Sequence, residues 1–441
     1  MRAAAPPPPP PPPPQPQPTP QPTPSPSLSP GEGGGGGRPL LPRADITSIY
    51  AVSDLHADPA YPANWAWVKG LDAATYASSA LIVAGDVAEA SPRLLAVLDA
   101  LAEAFAHIVF LPGNHCLWLR GAGTGGARLG DEEEGEEGGG EGAAAAPSDS
   151  VAKWRALEAA VASALPGRVH TAPVALGGVV VAPLLSWYEG GWNGEPSPPG
   201  APPAPSIFTD FRACRWPADL APGAGVSPAL AEWWDAQNDT PARAGALAAA
   251  WEEAAAQRAP PPGRPRPALI TASHFLPFPA CLPERRFLFQ PALADAAGSR
   301  ALGARVAALR PDAHVFGHTH IALDLDVMPP LVPAGSGGGG GGQGDSGVAP
   351  IRCVHWPLRY PAERARAAAG GGSPRLAGRP ADGSAPALLW DCVAGTPGPR
   401  MATHWSSYYR HHARTPADVT PAPWVVERAG WARKQVQQLQ E

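Results

Sequence analysis

From Ile46 onward the chain alternates short apolar runs with helix-periodic stretches, and several of the runs end in a small polar cluster. That alternation constrains the fold more than any other feature, because strands separated by helices imply crossover connections and a largely parallel sheet. Strands are expected at Ile46 to Val52, Ala80 to Ala84, Ile108 to Leu111, Val179 to Leu185, Ala268 to Ala272 and His314 to Phe316. Between the second and third, Leu94, Leu98, Leu101 and Phe105 share one face of a helix that starts at Ser91 as cap, with Pro92 in its first turn. Trp154, Leu157, Val161 and Leu165 predict a second helix, Pro241 to Gln257 after the cap Thr240 a third, and Leu302, Val306 and Leu309 a fourth. The expected class is α/β.

Proline and glycine decide how much of the 441 residues takes part. There are 60 prolines and 50 glycines, with 16 of the prolines in the first 30 positions. Residues 1–42 are therefore expected as an extended, solvated tail of polyproline II and glycine character, with the folded part at 43–393 and a C-terminal extension at 394–441. Low-complexity insertions are expected at Gly121 to Ala146, Glu195 to Pro205, Ala334 to Val348 and Ala367 to Ser384. The acidic run Asp131 to Glu141 fits a solvated loop better than a cation store. Near the C-terminus a strand is expected at Leu388 to Val393 and a Gln-rich helix at Trp431 to Gln440, neither with an assigned role.

A formal charge of −6 gives no broad electrostatic reason to expect nucleic acid. The five cysteines are scattered without a C-x-x-C pair, which argues against a disulfide framework or a zinc knuckle. No apolar run is long enough for a spanning helix, and the start passes directly into polyproline instead of an apolar signal segment, so a cytoplasmic location is expected. The proline-rich tail could bind a proline-recognition domain; an unstructured tail is the simpler account.

The polar clusters carry the chemistry. Asp54-Leu55-His56 follows the first expected strand, Gly85-Asp86 the second and Gly113-Asn114-His115 the third. His274 follows the strand at Ala268 to Ala272, and Gly317-His318-Thr319-His320 follows the one at His314 to Phe316. Any one of these is weak: Asp312-Ala313-His314 repeats the first pattern, with His314 expected inside a strand, and Gly130-Asp131 and Gly344-Asp345 repeat the second in low-complexity loops. Placement at strand ends separates the informative copies, since open α/β sheets present ligands there. Two Asp, one Asn and five His on one edge need cations between them, and this nitrogen and oxygen donor set suits Mn, Fe or Zn.

The ordered set D-x-H, GD, GNH, H, GHTH resembles the calcineurin-like metallophosphoesterase family over Asp54 to His320, about 60% of the chain, with Asp54, Asp86 and His115 separated by 32 and 29 residues. The resemblance implies a sandwich of two mixed sheets flanked by helices and two metal ions. It implies that Asp54, His56 and His320 hold one ion, that Asn114, His274 and His318 hold the other, and that Asp86 bridges them. A carboxylate suits the bridge because two cations about 3.5 to 4 Å apart repel unless an anion lies between. A metal-bridging hydroxide would attack phosphorus, and His115 would protonate the leaving oxygen. The implied activity is hydrolysis of a phosphate mono- or diester, most simply in a phosphorylated small molecule.

Two departures from the family pattern matter. The residue after GNH is acidic in much of the family, where a carboxylate could orient the histidine, whereas here it is Cys116. The stretch Gly85 to Glu89 lacks the arginine that protein Ser/Thr phosphatases place after this aspartate. In the segment Asp210 to Pro217, Arg212 and Arg215 could grip a substrate phosphate or form ordinary salt bridges. Trp187, Tyr188, Trp192, Trp233 and Trp234 fit a core better than a pocket wall, and His355, His404, His411 and His412 match no motif. A binding scaffold that has lost turnover, and a hydrolase of another bond such as an amide, are the competing accounts. The complete ligand set speaks against the first and the GNH and GHTH pair against the second.

Overall fold

The computed structural model describes residues 40–119, 147–220, 226–260, 266–330, 349–368 and 385–432. The expected insertions at Gly121 to Ala146 and Ala334 to Val348, most of Ala367 to Ser384, the proline-rich run and most of the Gln-rich terminus lie outside the described residues. Among the described residues, no helix is long and apolar enough to cross a membrane.

Strands are numbered in chain order. One sheet holds β1 (Ser48–Val52), β2 (Ser79–Ala84), β3 (His107–Leu111) and β4 (Val169–His170), joined at the other side by β11 (Ala387–Asp391) and β12 (Thr396–Pro397). The second holds β5 (Val174–Leu176), β6 (Val179–Pro183), β7 (Ala268–Ala272), β8 (Ala313–Phe316), β9 (Leu323–Val327) and β10 (Ile351–His355). Their spatial orders are β12-β11-β1-β2-β3-β4 and β5-β6-β7-β8-β10-β9. Within them β1 to β4 are mutually parallel, as are β6, β7, β8 and β10, while β5, β9, β11 and β12 pair antiparallel. Both sheets are mixed, six strands each, as the resemblance implied.

Alternation along each strand builds the layers. Ala80, Ile82 and Ala84 of β2 and Val109 and Leu111 of β3 share an apolar cluster with Val179, Val181, Ile270, Ala272 and Val315 of the second sheet, so the two sheets pack face to face. Leu81, Val83, Ile108 and Phe110 turn the other way, onto Leu94, Leu98 and Leu101 of the helix Ser91–Ala104 and Trp154 of the helix Ser150–Ala164. On the far side Val180 and Leu269 meet Ala250 and Ala254 of the helix Pro241–Gln257. The result is helix, sheet, sheet, helix, with the two central layers almost wholly apolar.

Most expected elements lie within two residues of the observed ones. Val179 to Leu185 stops as a strand at Pro183, because Asn238 takes over the next backbone pair, its Oδ1 accepting from Leu185 N and its Nδ2 donating to Leu185 O, each at 2.8 Å. Ser91 is the first helical residue and makes no capping bond, Ala90 standing at the cap. Glu195 to Pro205 is not a free insertion: Glu195 accepts from Arg285 N at 3.0 Å, and a short helix starts at Ala204, which is buried. At the other end of the chain, Trp405, Ala422, Val425, Ala429 and Ala432 enter the same core cluster as the first sheet's outer face.

His314 lies in β8, fully buried, bonded to Thr271 Oγ1 at 2.8 Å and Ser273 Oγ at 3.0 Å. Burial pushes its pKa down to about 3. The unfolded chain therefore binds a proton here that the folded chain does not, and the contribution of neutral His314 is complete above about pH 6.5 and lost as pH falls toward 3. The slope of stability against pH between 6.5 and 4 is expected to be shallower in His314→Gln by up to about 1.4 kcal/mol per pH unit. Thermal or denaturant melts across that range measure it; parallel slopes would remove the assignment.

Candidate metal centre

Every side chain of the expected ligand set, and the expected proton donor His115, lies just past the carboxyl end of a parallel strand: Asp54 and His56 after β1, Asp86 after β2, Asn114 and His115 after β3, His274 after β7, His318 and His320 after β8. The turns interlock. Asp54 N donates to Gly85 O at 3.1 Å, His56 N to Asp86 O at 2.8 Å and Gly317 N to His274 O at 2.9 Å. Five of these residues have left-handed backbone, Asp54 (φ 53°), His56 (40°), Asp86 (50°), His318 (77°) and His320 (56°). Such geometry costs about 1 kcal/mol or more per residue and persists where surrounding structure over-determines it. The glycine before Asp86 is obligatory for two reasons: Gly85 sits at φ 84°, and a Cβ there would collide with the His274 imidazole. A Cβ at Gly113 would likewise strike the Asp86 carboxylate.

The donor atoms fall into two groups that share one oxygen. In the first, His56 Nε2 lies 3.0 Å from His320 Nε2, 3.9 Å from Asp86 Oδ2, and His320 Nε2 lies 3.7 Å from Asp54 Oδ1. In the second, Asn114 Oδ1 lies 2.9 Å from His274 Nε2 and 3.1 Å from His318 Nδ1, and His274 Nε2 lies 3.4 Å from Asp86 Oδ2. Ligand atoms about 2.1 Å from a common ion and at right angles about it are about 3 Å apart, so these separations fit divalent metal ions. Asp54, His56 and His320, then Asp54, Asp86 and His274, and also His56, Asp86 and His115, each offer converging donor atoms.

The nitrogens facing away from the centre are tied down in three of the four imidazoles expected as ligands. His274 Nδ1 meets Ala84 O at 3.0 Å, His318 Nε2 meets Ala296 O at 2.7 Å, and His320 Nδ1 meets Glu363 Oε2 at 2.6 Å. Those contacts place the proton on the outer nitrogen and leave the inner lone pair for a cation. His56 Nδ1 is buried without a hydrogen bond.

Charge follows the same division. Burial alone would raise the Asp54 and Asp86 carboxyls, yet both are held well below the usual carboxylate range, Asp54 by the His355 hydrogen bond and by His320, Asp86 by His274 and His115. Against its own burial, His274 is raised to about 9 by Asp86. Burial lowers His56 well below the ordinary imidazole value and, reinforced by His274, brings His318 down to about 3. The cluster thus combines ionised carboxylates with two imidazoles held neutral, His56 and His318, and with His274, which holds a proton where a cation would otherwise balance the charge.

His115 stands beside this group, its ring 12% exposed. Its backbone N donates to Asp86 Oδ1 at 2.9 Å, its Nε2 lies 4.0 Å from Asp86 Oδ2, and its ring packs 3.6 Å from that of Trp118. Glu89 Oε1 approaches its Nδ1 at 3.5 Å. The following residue, Cys116, is buried in the core, and burial with the Asp86 charge pushes its thiol up to about 12, so no reactive thiolate forms beside the centre.

Several residues that complete the site carried no motif. His355, at the end of β10, places Nε2 3.1 Å from Asp54 Oδ2; its position at a parallel strand's carboxyl end was the available signal. Glu363 holds His320, and Tyr360 stacks on His56 with ring centroids 4.3 Å apart. In the Asp210 to Pro217 segment it is Asp210, buried, that reaches Asn114, at 2.8 Å, while Arg212 and Arg215 are both exposed. Trp187, Tyr188, Trp192 and Trp234 are buried and Trp233 half-buried, in the core; the Tyr188 ring also lies 6.2 Å from that of His318.

Residues 47–154 match the family model described as calcineurin-like phosphoesterase. The matched segment carries Asp54, His56, Asp86, Asn114 and His115, while His274, His318 and His320 lie beyond it. Among curated proteins the chain is similar to the [acyl-carrier-protein] phosphodiesterase PptH of Mycobacterium tuberculosis, 40% identical over 74 residues, which is 16% of this chain and 21% of that protein. The match thus spans about a fifth of that relative's length. A solved structure, the phosphopantetheinyl hydrolase PptH from the same organism, aligns with 19% identity and a TM-score of 0.40 over 73% of this chain and 93% of its own.

Proposed function

We propose that this chain is a dinuclear metal-dependent phosphoesterase in which Asp54, His56 and His320 hold one ion, Asn114, His274 and His318 hold the other, and Asp86 joins them. The observation that carries the reading is the Asp86 Oδ2 position, 3.9 Å from His56 Nε2 in one donor group and 3.4 Å from His274 Nε2 in the other. When bound, ions of the Mn, Fe or Zn kind would supply Lewis acidity and a water of lowered pKa for attack on phosphorus. The chain's own contribution is placement. Asp54 and Asp86 bring the negative charge that keeps two cations together, and the outer hydrogen bonds of His274, His318 and His320 fix which nitrogen faces inward. His115, partly exposed and clamped by Trp118, would hold a proton at Nε2 for the departing oxygen.

The substrate is proposed to be a phosphorylated small molecule, with a diester tested first because the curated relative is a phosphodiesterase. Purified protein is expected to contain about two metal ions per chain and to turn over bis(para-nitrophenyl) phosphate or para-nitrophenyl phosphate with added Mn²⁺. A chelator should abolish turnover, and Mn²⁺ should restore it. Protein that contains both ions yet cleaves neither ester nor any phosphodiester in a broader panel would leave a metal-binding scaffold as the better account.

A further inference from the structure

A primary amide is a metal ligand only through its oxygen; turned over, it presents N–H groups that a cation repels. Asn114 is the one amide in the donor set, and its orientation is fixed from outside. Its Nδ2 donates to Asp210 Oδ1 at 2.8 Å, which leaves Oδ1 facing His274 Nε2 at 2.9 Å and His318 Nδ1 at 3.1 Å. The same carboxylate accepts Trp118 Nε1 on Oδ1 at 2.6 Å and Tyr188 OH on Oδ2 at 3.1 Å.

We propose that Asp210 is a positioning residue of the second metal group, locking the Asn114 amide with its oxygen inward and, through Trp118, fixing the surface on which His115 rests. Asp210 is 5% exposed, and among the described residues its hydrogen-bond donors are these three neutral groups. A buried carboxylate without a cationic partner is costly, and a role confined to anchoring a loop would be met at lower cost by an apolar side chain. What the carboxylate adds is an acceptor for all three donors at once. One of them belongs to a ligand, and the second packs 3.6 Å from the His115 ring. The sequence segment from Asp210 to Pro217 therefore contributes its aspartate to the centre.

This inference rests on the two-ion reading above, and its test separates the two. Mn²⁺ titrations followed by calorimetry or electron paramagnetic resonance, which need no turnover, are expected to resolve two ions in the wild type. In Asp210→Asn, whose own amide can turn either way, one ion should bind 10- to 100-fold more weakly, the scale of other outer-shell losses, while the other is unchanged. Adding Asn114→Asp should recover the weaker ion, because a carboxylate presents oxygen in both orientations. Asp210→Ser gives a second reading if the first variant folds poorly. Two ions bound with wild-type affinity in both Asp210 variants, or a parallel loss of both ions with a lowered melting temperature, would overturn the role of Asp210 and leave the proposed function standing. A wild type that binds fewer than two ions would overturn both.

Discussion

Asp86→Asn is expected to lower kcat/KM by on the order of 10³-fold or more, about 4 kcal/mol of transition-state stabilisation, with the fold retained. The carboxylate Oδ2 stands between the two donor groups and 4.0 Å from His115 Nε2, so a neutral amide there would remove the charge that screens the two cations of the proposed site. The backbone tolerates the change. Asparagine accepts left-handed φ more readily than most residues, and its Oδ1 can keep the 2.9 Å bond from His115 N. Loss of Asp86 should also withdraw the support that raises His274 toward 9, leaving that imidazole easier to deprotonate. Metal analysis should show one ion weakened or absent while the thermal transition stays cooperative. A variant active within tenfold of the wild type would remove the bridging role.

Trp405→Ala is expected to destabilise the protein by about 3–5 kcal/mol, although the residue lies in the stretch that the sequence suggested was an appended extension. Its indole is 1% exposed and packs with Phe287 at 5.1 Å and Tyr409 at 5.7 Å between ring centroids. Around it, Trp424 stacks on Phe287 at 5.6 Å, Tyr409 OH donates to Glu284, and Thr415 N donates to Glu284 Oε1 at 2.9 Å. The helix His404–His411 also reaches the edge strand β9, where Ser406 Oγ accepts from Asp324 N at 2.8 Å. Denaturant unfolding of the variant measures the loss. A midpoint shift equivalent to less than about 1 kcal/mol would mean that this aromatic group contributes little to the core.

The parallel strands β1, β2, β3, β6, β7 and β8 were legible in the sequence because each is a short apolar run bounded by turn residues, as buried strands in α/β sheets are, whereas the parallel strand β10, Ile-Arg-Cys-Val-His, was not, its run being broken by Arg352 and His355. Strands β4, β5 and β12, of two or three residues, were not, since so short a run has no period. The antiparallel edge strand β9, Leu-Asp-Leu-Asp-Val, was missed despite its alternation, because aspartate is disfavoured in strands; its two aspartates pair with Arg352 and Arg400. At the centre, the residues expected as ligands were those on interlocking turns with short, repeated motifs. His355, Glu363 and Asp210 contact residues expected as ligands, and Glu89 contacts His115, from other elements, at separations of 301, 43, 96 and 26 residues, and only folding brings them together. The expectation for Arg212 and Arg215 weighed side-chain chemistry without orientation, and the short helix Asp210–Ala213 turns a different residue inward.

The five left-handed corners give the site a direction of drift. Glycine or asparagine at any of them would relax the backbone, so replacing His318 or His320 by glycine would relieve strain even as it removed a proposed ligand. Stability and metal retention therefore pull this chain toward different sequences. A screen of variants for melting temperature alone would be drawn to losses at these corners, and a thermostabilised form selected without metal present would tend to be one that no longer binds it.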